Sequence, residues 1–187
     1  MNGKLVVGVA GMPGAGKSLV VEVATQSSYD IVVMGDAVRE EAQRKRLEPS
    51  PESIGKIMLE LRQKEGKGAV AKRCILKIAR TERCKVLIDG IRSLSEVEEF
   101  KNHFKDFVLL AVHASPETRF RRLYNRQRSD DPKSWQVFQA RDIRELSVGL
   151  GEAIAMAEYI IVNEERVEVV KRKVREILGK VEEKWMK

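Results

Sequence analysis

The residues with the most specific chemistry in this chain are eight in a row, Gly11-Met12-Pro13-Gly14-Ala15-Gly16-Lys17-Ser18. Glycines at 11, 14 and 16 let successive backbone N–H groups point into one concavity. A helix beginning at the end of the stretch would add the positive end of its dipole. Lys17 would reach the β- and γ-phosphates of a bound nucleotide, and the Ser18 hydroxyl would take one position on Mg2+. The flanks suit that use. Lys4-Leu5-Val6-Val7-Gly8-Val9-Ala10 is a short apolar, β-branched run that reads as a buried strand. Leu19 to Ala24 can continue as a helix. A G-x-x-x-x-G-K-S pattern between a strand and a helix predicts binding of a nucleoside triphosphate, with ATP and Mg2+ as the implied cofactors.

Further along, Asp89 closes the apolar run Lys85-Val86-Leu87-Ile88. That is the place for a carboxylate holding Mg2+ opposite Ser18, or for a cap on the following helix. The next residue is Gly90, where a hydrolytic ATPase would carry a water-activating glutamate, so transfer to an acceptor is favoured over hydrolysis. Arg39, expected in the first turn of its helix, and Arg92 sit just beyond the second and third strand runs. Two guanidinium groups there could clamp a second phosphate. The plainer alternative pairs them with Glu40 and Glu96 on the surface. Gly35-Asp36 precedes Arg39, and Asp36 reads either as a helix cap or as a proton acceptor for an attacking hydroxyl. Seven arginines fall between positions 119 and 144. Of these, Arg126, Arg128 and Arg141 bracket the polar turn Arg128-Ser129-Asp130-Asp131-Pro132, as lid arginines closing on a transferring phosphoryl group would. A solvated charged helix is the alternative.

The elements that must position these groups follow from the apolar pattern. Strands are expected at Lys4–Ala10, Tyr29–Met34, Lys85–Gly90, Phe107–His113 and Tyr159–Val162. Helices are expected from Ala37 (with Asp36 as cap), from Pro51 (with Ser50 as cap), around Val70–Ile78, over Ser93–Phe100, after Ser115-Pro116, through Arg141 and Leu146, and from Val167 to the end. Continuous apolar strands alternating with helices mean a parallel sheet covered on both faces, with ligands at the carboxyl ends of the strands. Residues 1–187 read as one domain, with a helical, acceptor-binding insert at about 36–80 and a lid at about 119–145.

Composition narrows the classes. Hydrophobic residues make up 43% of the chain, and no apolar run approaches the roughly 18 residues of a membrane span. The first strand begins at once, so no leader is expected and a cytoplasmic setting is. Cys74 and Cys84 are isolated and read as buried small hydrophobes. With only two histidines, His103 and His113, zinc is not expected. The net charge of +7 favours an anionic partner, a nucleotide or RNA. Charged residues of both signs, 34% of the chain, are interspersed as in heat-adapted proteins. The absence of N-K-x-D after a strand, with Asp89-Gly90-Ile91-Arg92 in place of D-x-x-G, disfavours a GTPase.

Together these stretches resemble the nucleoside monophosphate kinases, adenylate kinase above all. Met34-Gly35-Asp36-Ala37-Val38-Arg39 is similar to that family's T-G-D-M-L-R, and Asp89-Gly90-Ile91-Arg92 to its D-G-F-P-R; the arginine of each holds the acceptor's phosphate. Arg128-Ser129-Asp130-Asp131 resembles the lid's R-x-D-D, with Arg141 near a second lid arginine. The resemblance implies a P-loop α/β three-layer sandwich whose five parallel strands run in the order 2-3-1-4-5. It also implies transfer of a phosphoryl group from ATP to a nucleotide-like acceptor, AMP foremost. Departures are Lys17-Ser18-Leu19 in place of G-K-G-T, a D-G-F-P-R stretch one residue short, Glu96 near the place of an adenine-reading glutamine, and a shorter lid. The whole pattern is closer still to an archaeal family described as adenylate-kinase-related, which keeps G-M-P-G-x-G-K-S, D-G-x-R-S and R-S-D-D. A second similarity is to dephospho-coenzyme A kinase, through Asp36 and the stretch Ala157–Asn163. An RNA-associated ATPase switch is the alternative from another class.

Overall fold

The computed structural model describes residues 3–48, 51–128 and 130–187, with 51 and 52 described by their backbone alone. The predicted cap Ser50 and Ser129 of the polar turn lie outside the described residues. The elements run β1 (Leu5–Ala10), α1 (Lys17–Gln26), β2 (Asp30–Val33), α2 (Met34–Arg44), α3 (Pro51–Glu65), α4 (Ala69–Arg80) and β3 (Lys85–Ile91). Then follow α5 (Leu94–His103), β4 (Asp106–His113), α6 (Pro116–Arg126), α7 (Trp135–Ser147), α8 (Leu150–Ala155), β5 (Tyr159–Val162) and α9 (Val167–Trp185). Every strand pairing is parallel, and the order is β2-β3-β1-β4-β5. This is the expected order, with β1 at the centre.

The central strands are continuously apolar because both faces are covered, whereas the edge strand β5 leaves Ile160 and Val162 half exposed, so the expected cover on both faces does not extend to that edge. Val6, Val86, Ile88 and Leu109 turn one face toward α2, α3, α4, α5 and α8. Leu5, Val7, Val9, Leu87, Leu110 and Val112 turn the other toward α1 and α9. The C-terminal helix buries Val170, Val174, Leu178 and Val181 as its stripe predicts, although Val167 is exposed. Among the described residues, no helix is long and apolar enough to cross a membrane.

Several local expectations are corrected. Helix α2 begins at Met34, directly out of β2, with Val33 at its cap position. Asp36 is therefore inside the first turn, where its charge suits the helix dipole, rather than at the cap. Arg39 lies a turn further in, so the dipole gives no reason for an anion there. Strand β3 runs on past Asp89 to Ile91, and α8 is a helix the apolar pattern did not announce. Cys74 is buried but Cys84 is exposed. The predicted Ser115 cap of α6 is present, accepting from Thr118 N–H, whereas α5 is capped by Ser93, which accepts from Glu96 N–H, and not by Asp89.

One irregularity matters for the site. Val9 pairs with Asp89 but Ala10 pairs with Ile91, so Gly90 is skipped, at φ 101°. A bulge at the carboxyl end of β3 bends the strand just where it delivers Asp89 and Arg92. Below it, Gly8 gives Ile91 and Phe107 room to close over β1. A Cβ at Gly8 would lie 2.3 Å from Ile91 Cδ1 and 2.8 Å from Phe107 Cζ. Gly8→Ala should therefore cost about 1–3 kcal/mol by overpacking. Urea unfolding should show a lower midpoint at unchanged slope.

Candidate functional site

The loop between β1 and α1 owes its shape to specific close approaches. Gly14 (φ 80°) faces the Arg119 carbonyl, which a Cβ would meet at 2.8 Å. Gly16 (φ 97°) faces Asn163, whose Nδ2 a Cβ would meet at 2.0 Å. That Asn163 amide is itself buried and donates to the Ala15 carbonyl at 2.8 Å, so the end of β5 props the loop. The Lys17 ammonium donates to the Gly11 carbonyl at 2.7 Å and to that of Met12 at 3.4 Å. Met12 and Ala15 serve the loop by packing into the two cores. Gly11, Pro13, Gly14 and Lys17 line a cavity of about 310 Å³. Gly14, Gly16, Lys17 and Ser18 line the one adjoining it.

Burial pushes Lys17 down to about 8, a cost that the neighbouring Asp89 carboxylate partly offsets. Burial pushes Asp89 up, against the pull of Lys17 and Arg92. Its Oδ1 is buried without a hydrogen-bond partner. Ser18 and Asp89 line the same cavity. Among the described residues, no cluster of three or more metal-binding side chains occurs. One hydroxyl and one under-satisfied carboxylate fit Mg2+, which takes most of its ligands from water and phosphate.

The same cavity is lined by Gly35, Arg39 and Arg92 and by Arg126, Arg128, Asp130 and Arg141. Asp36 does not line it; its carboxylate pairs with Arg39. Neither of the expected surface pairs forms. Glu40 takes Lys77 instead. Buried Glu96 accepts from the Arg92 backbone N–H at 2.8 Å and from Arg62 at 3.0 Å. The Arg92 guanidinium instead meets Glu145 of α7, with Nη1 at 3.2 Å from both carboxylate oxygens. At the end of α6, Arg126 donates to both oxygens of Asp131 (2.9 and 2.5 Å), holding that carboxyl below the usual range. The Arg128 N–H donates to the same carboxylate at 2.9 Å, and Arg141 binds Asp130 through its carbonyl and side chain.

Three features have no place in the sequence-based site. Glu145 is a cavity-lining acid. Arg122 donates to the Asn163 carbonyl at 3.0 Å, while its Nη1 is buried without a partner beside the Ser18 cavity. It lies four residues before Arg126 on α6, a helical spacing that could have marked it. Buried Arg119 forms a bidentate pair with Asp142 (2.8 and 2.5 Å), donates to the Pro13 carbonyl at 3.3 Å and lies over the Phe138 ring. With Phe120, Trp135 and Phe138 in mutual contact, it fastens α6 and α7 to the phosphate loop. No local pattern signals a pair 23 residues apart.

Residues 10–139 match the family model described as an AAA domain. The UPF0200 protein of Hyperthermus butylicus is 44% identical over 178 residues, covering 95% of this chain and 95% of its own. The chain belongs to the UPF0200 family. Among solved structures, this UPF0200 chain is similar to shikimate kinase from Bacteroides thetaiotaomicron, with TM-score 0.58, 17% identity, and 94% and 98% of the two chains covered. It is similar also to a gluconokinase from Sinorhizobium meliloti, with TM-score 0.58, 13% identity, and 98% and 95% covered. The fold is thus that of the P-loop kinases.

Two outcomes follow for the UPF0200 site. Phosphates arriving at Lys17 will restore its charged form, so nucleotide binding at about pH 8.5 should take up a proton, and at about pH 6.5 none. Calorimetry in two buffers of different ionisation heat measures this; no uptake at the higher pH would contradict it. Asp142→Asn leaves a buried guanidinium without its counter-charge and should destabilise the fold by about 3 kcal/mol in denaturant unfolding.

Proposed function

We propose that this chain transfers the γ-phosphoryl group of ATP to a small, nucleotide-like acceptor that carries a phosphate, with AMP as the first candidate. The observation that carries the reading is a single cavity of about 310 Å³. It is lined by Lys17 of the phosphate loop and Asp89 together with Arg39, Arg92, Arg126, Arg128 and Arg141. The likeness to chains titled shikimate kinase and gluconokinase supports the reaction class.

In this reading residues 1–187 act as one domain. Gly11 to Ser18 wrap the triphosphate, and Mg2+ at Ser18 and Asp89 would neutralise charge across its β- and γ-phosphates. Gly35, Arg39 and Arg92 seat the acceptor's phosphate in line, with residues of about 36–80 forming the wall beside it. The lid of about 119–145 brings Arg126, Arg128 and Arg141 onto the transferring group, where guanidinium charge is worth most once water is excluded. A phosphate acceptor is already anionic and needs no base, which agrees with Asp36 being turned to Arg39 and away from the cavity.

The test is ADP formation from Mg·ATP across a panel of nucleoside monophosphates and dephospho-coenzyme A. One acceptor should stimulate turnover strongly. Arg92→Ala should then raise its KM about tenfold or more, the loss of a charge-assisted phosphate contact. Lys17→Ala should abolish turnover. Unchanged acceptor binding and turnover in Arg92→Ala would refute the reading.

A further inference from the structure

The arginine placed to receive the acceptor's phosphate already holds an anion of the chain's own. Glu145 reaches from α7 across the cavity wall, and both its oxygens sit 3.2 Å from Arg92 Nη1. The carboxylate is well buried, at 15% side-chain exposure, whereas Arg92 is 41% exposed. Only one nitrogen of the Arg92 guanidinium is engaged among the described residues. Nη2 and Nε have no side-chain or backbone partner among the described residues. Arg39, on the same cavity, is engaged by Asp36, but that pair is about half exposed, and the Arg39 guanidinium lies back over Gly35.

We propose that Glu145 is a specificity-determining residue: it occupies Arg92 as a resident carboxylate, so that the site excludes external carboxylates and admits phosphate dianions. The inference rests on the reading of Arg39 and Arg92 as the acceptor side. A free carboxylate brings the same single charge and the same two oxygens as Glu145. It also pays for lost translational freedom, while Glu145 is tethered at high effective concentration. Such a ligand gains nothing by exchange. A phosphate dianion brings twice the charge and a third oxygen for the unused donors of Arg92, with Arg39 lining the same cavity. Once displaced, Glu145 remains in a cavity rich in positive charge, since its field already reaches Lys17 alongside that of Arg141. The acid therefore narrows the acceptor class without preventing acceptor binding.

The experiment begins with calorimetric titration of Mg2+ and the non-hydrolysable imido analogue of ATP, which establishes loop occupancy by itself. With the loop saturated, inorganic phosphate and acetate are titrated separately at about pH 8, where phosphate is chiefly a dianion, at constant ionic strength. The wild type should bind phosphate and show no heat with acetate. Glu145→Gln should bind phosphate about fivefold tighter, the scale of a part-exposed ion pair, and should bind acetate measurably. Glu145→Ala should do the same, so a folding defect in one variant does not decide the outcome. Arg92→Gln should lose phosphate binding. Unchanged or weaker phosphate binding in both Glu145 variants, or acetate binding to the wild type on a par with phosphate, overturns the proposal. Phosphate binding indifferent to Arg92 removes the acceptor site itself, and with it both readings, while nucleotide binding in the first titration stands apart.

Discussion

Mutual repulsion among cations is the constraint on which this molecule is built. Lys17, Arg39, Arg92, Arg126, Arg128 and Arg141 face one cavity. At an effective dielectric near 20, two such charges about 4 Å apart repel by about 4 kcal/mol. The chain meets that cost with its own carboxylates: Asp36 on Arg39, Glu145 on Arg92, Asp131 on Arg126 and Asp130 on Arg141. Lys17, buried at the centre, is offset chiefly by Asp89 and still gives up affinity for its proton. Asp36, Glu145, Asp131 and Asp130 each pair with an arginine that lines the cavity.

Backbone geometry brings these groups together. A parallel sheet points all its carboxyl ends one way, so the phosphate loop after β1, the start of α2 after β2 and the Asp89–Arg92 segment of β3 meet without long loops. The bulge at Gly90 adds a local bend between Asp89 and Arg92, both of which line the cavity. Helices α6 and α7 are held to the loop by Arg119. Arg119 joins the Pro13 carbonyl of the loop to Asp142 of α7, one residue from Arg141 and three from Glu145. A change in the loop would thus be felt at the two α7 side chains that face the cavity.

Most of this was legible in the sequence where the signal is local. The central strands were readable because burial on both faces leaves unbroken apolar runs, and the loop because its glycines, lysine and serine are contiguous. Arg39, Arg92, Arg126, Arg128 and Arg141 were identified from their positions at strand ends and around a polar turn, and the fold gathers all five. Other features depend on contacts that spacing cannot express. Glu145 meets Arg92 across 53 positions, and Asp142 meets Arg119 across 23. The start of α2 was misplaced because Val33, not a polar residue, stands at its cap. That same shift places Asp36 inside the first turn, paired with Arg39, and not at the cap.

The central claim is that the γ-phosphoryl group goes to an organic acceptor and not to water. The most direct measurement follows the label from [γ-32P]ATP with Mg2+ and a mixture of nucleoside monophosphates, separating products by thin-layer chromatography. Label moving into a nucleoside diphosphate is the predicted result. Label released solely as inorganic phosphate, at a rate indifferent to every acceptor, would contradict the account.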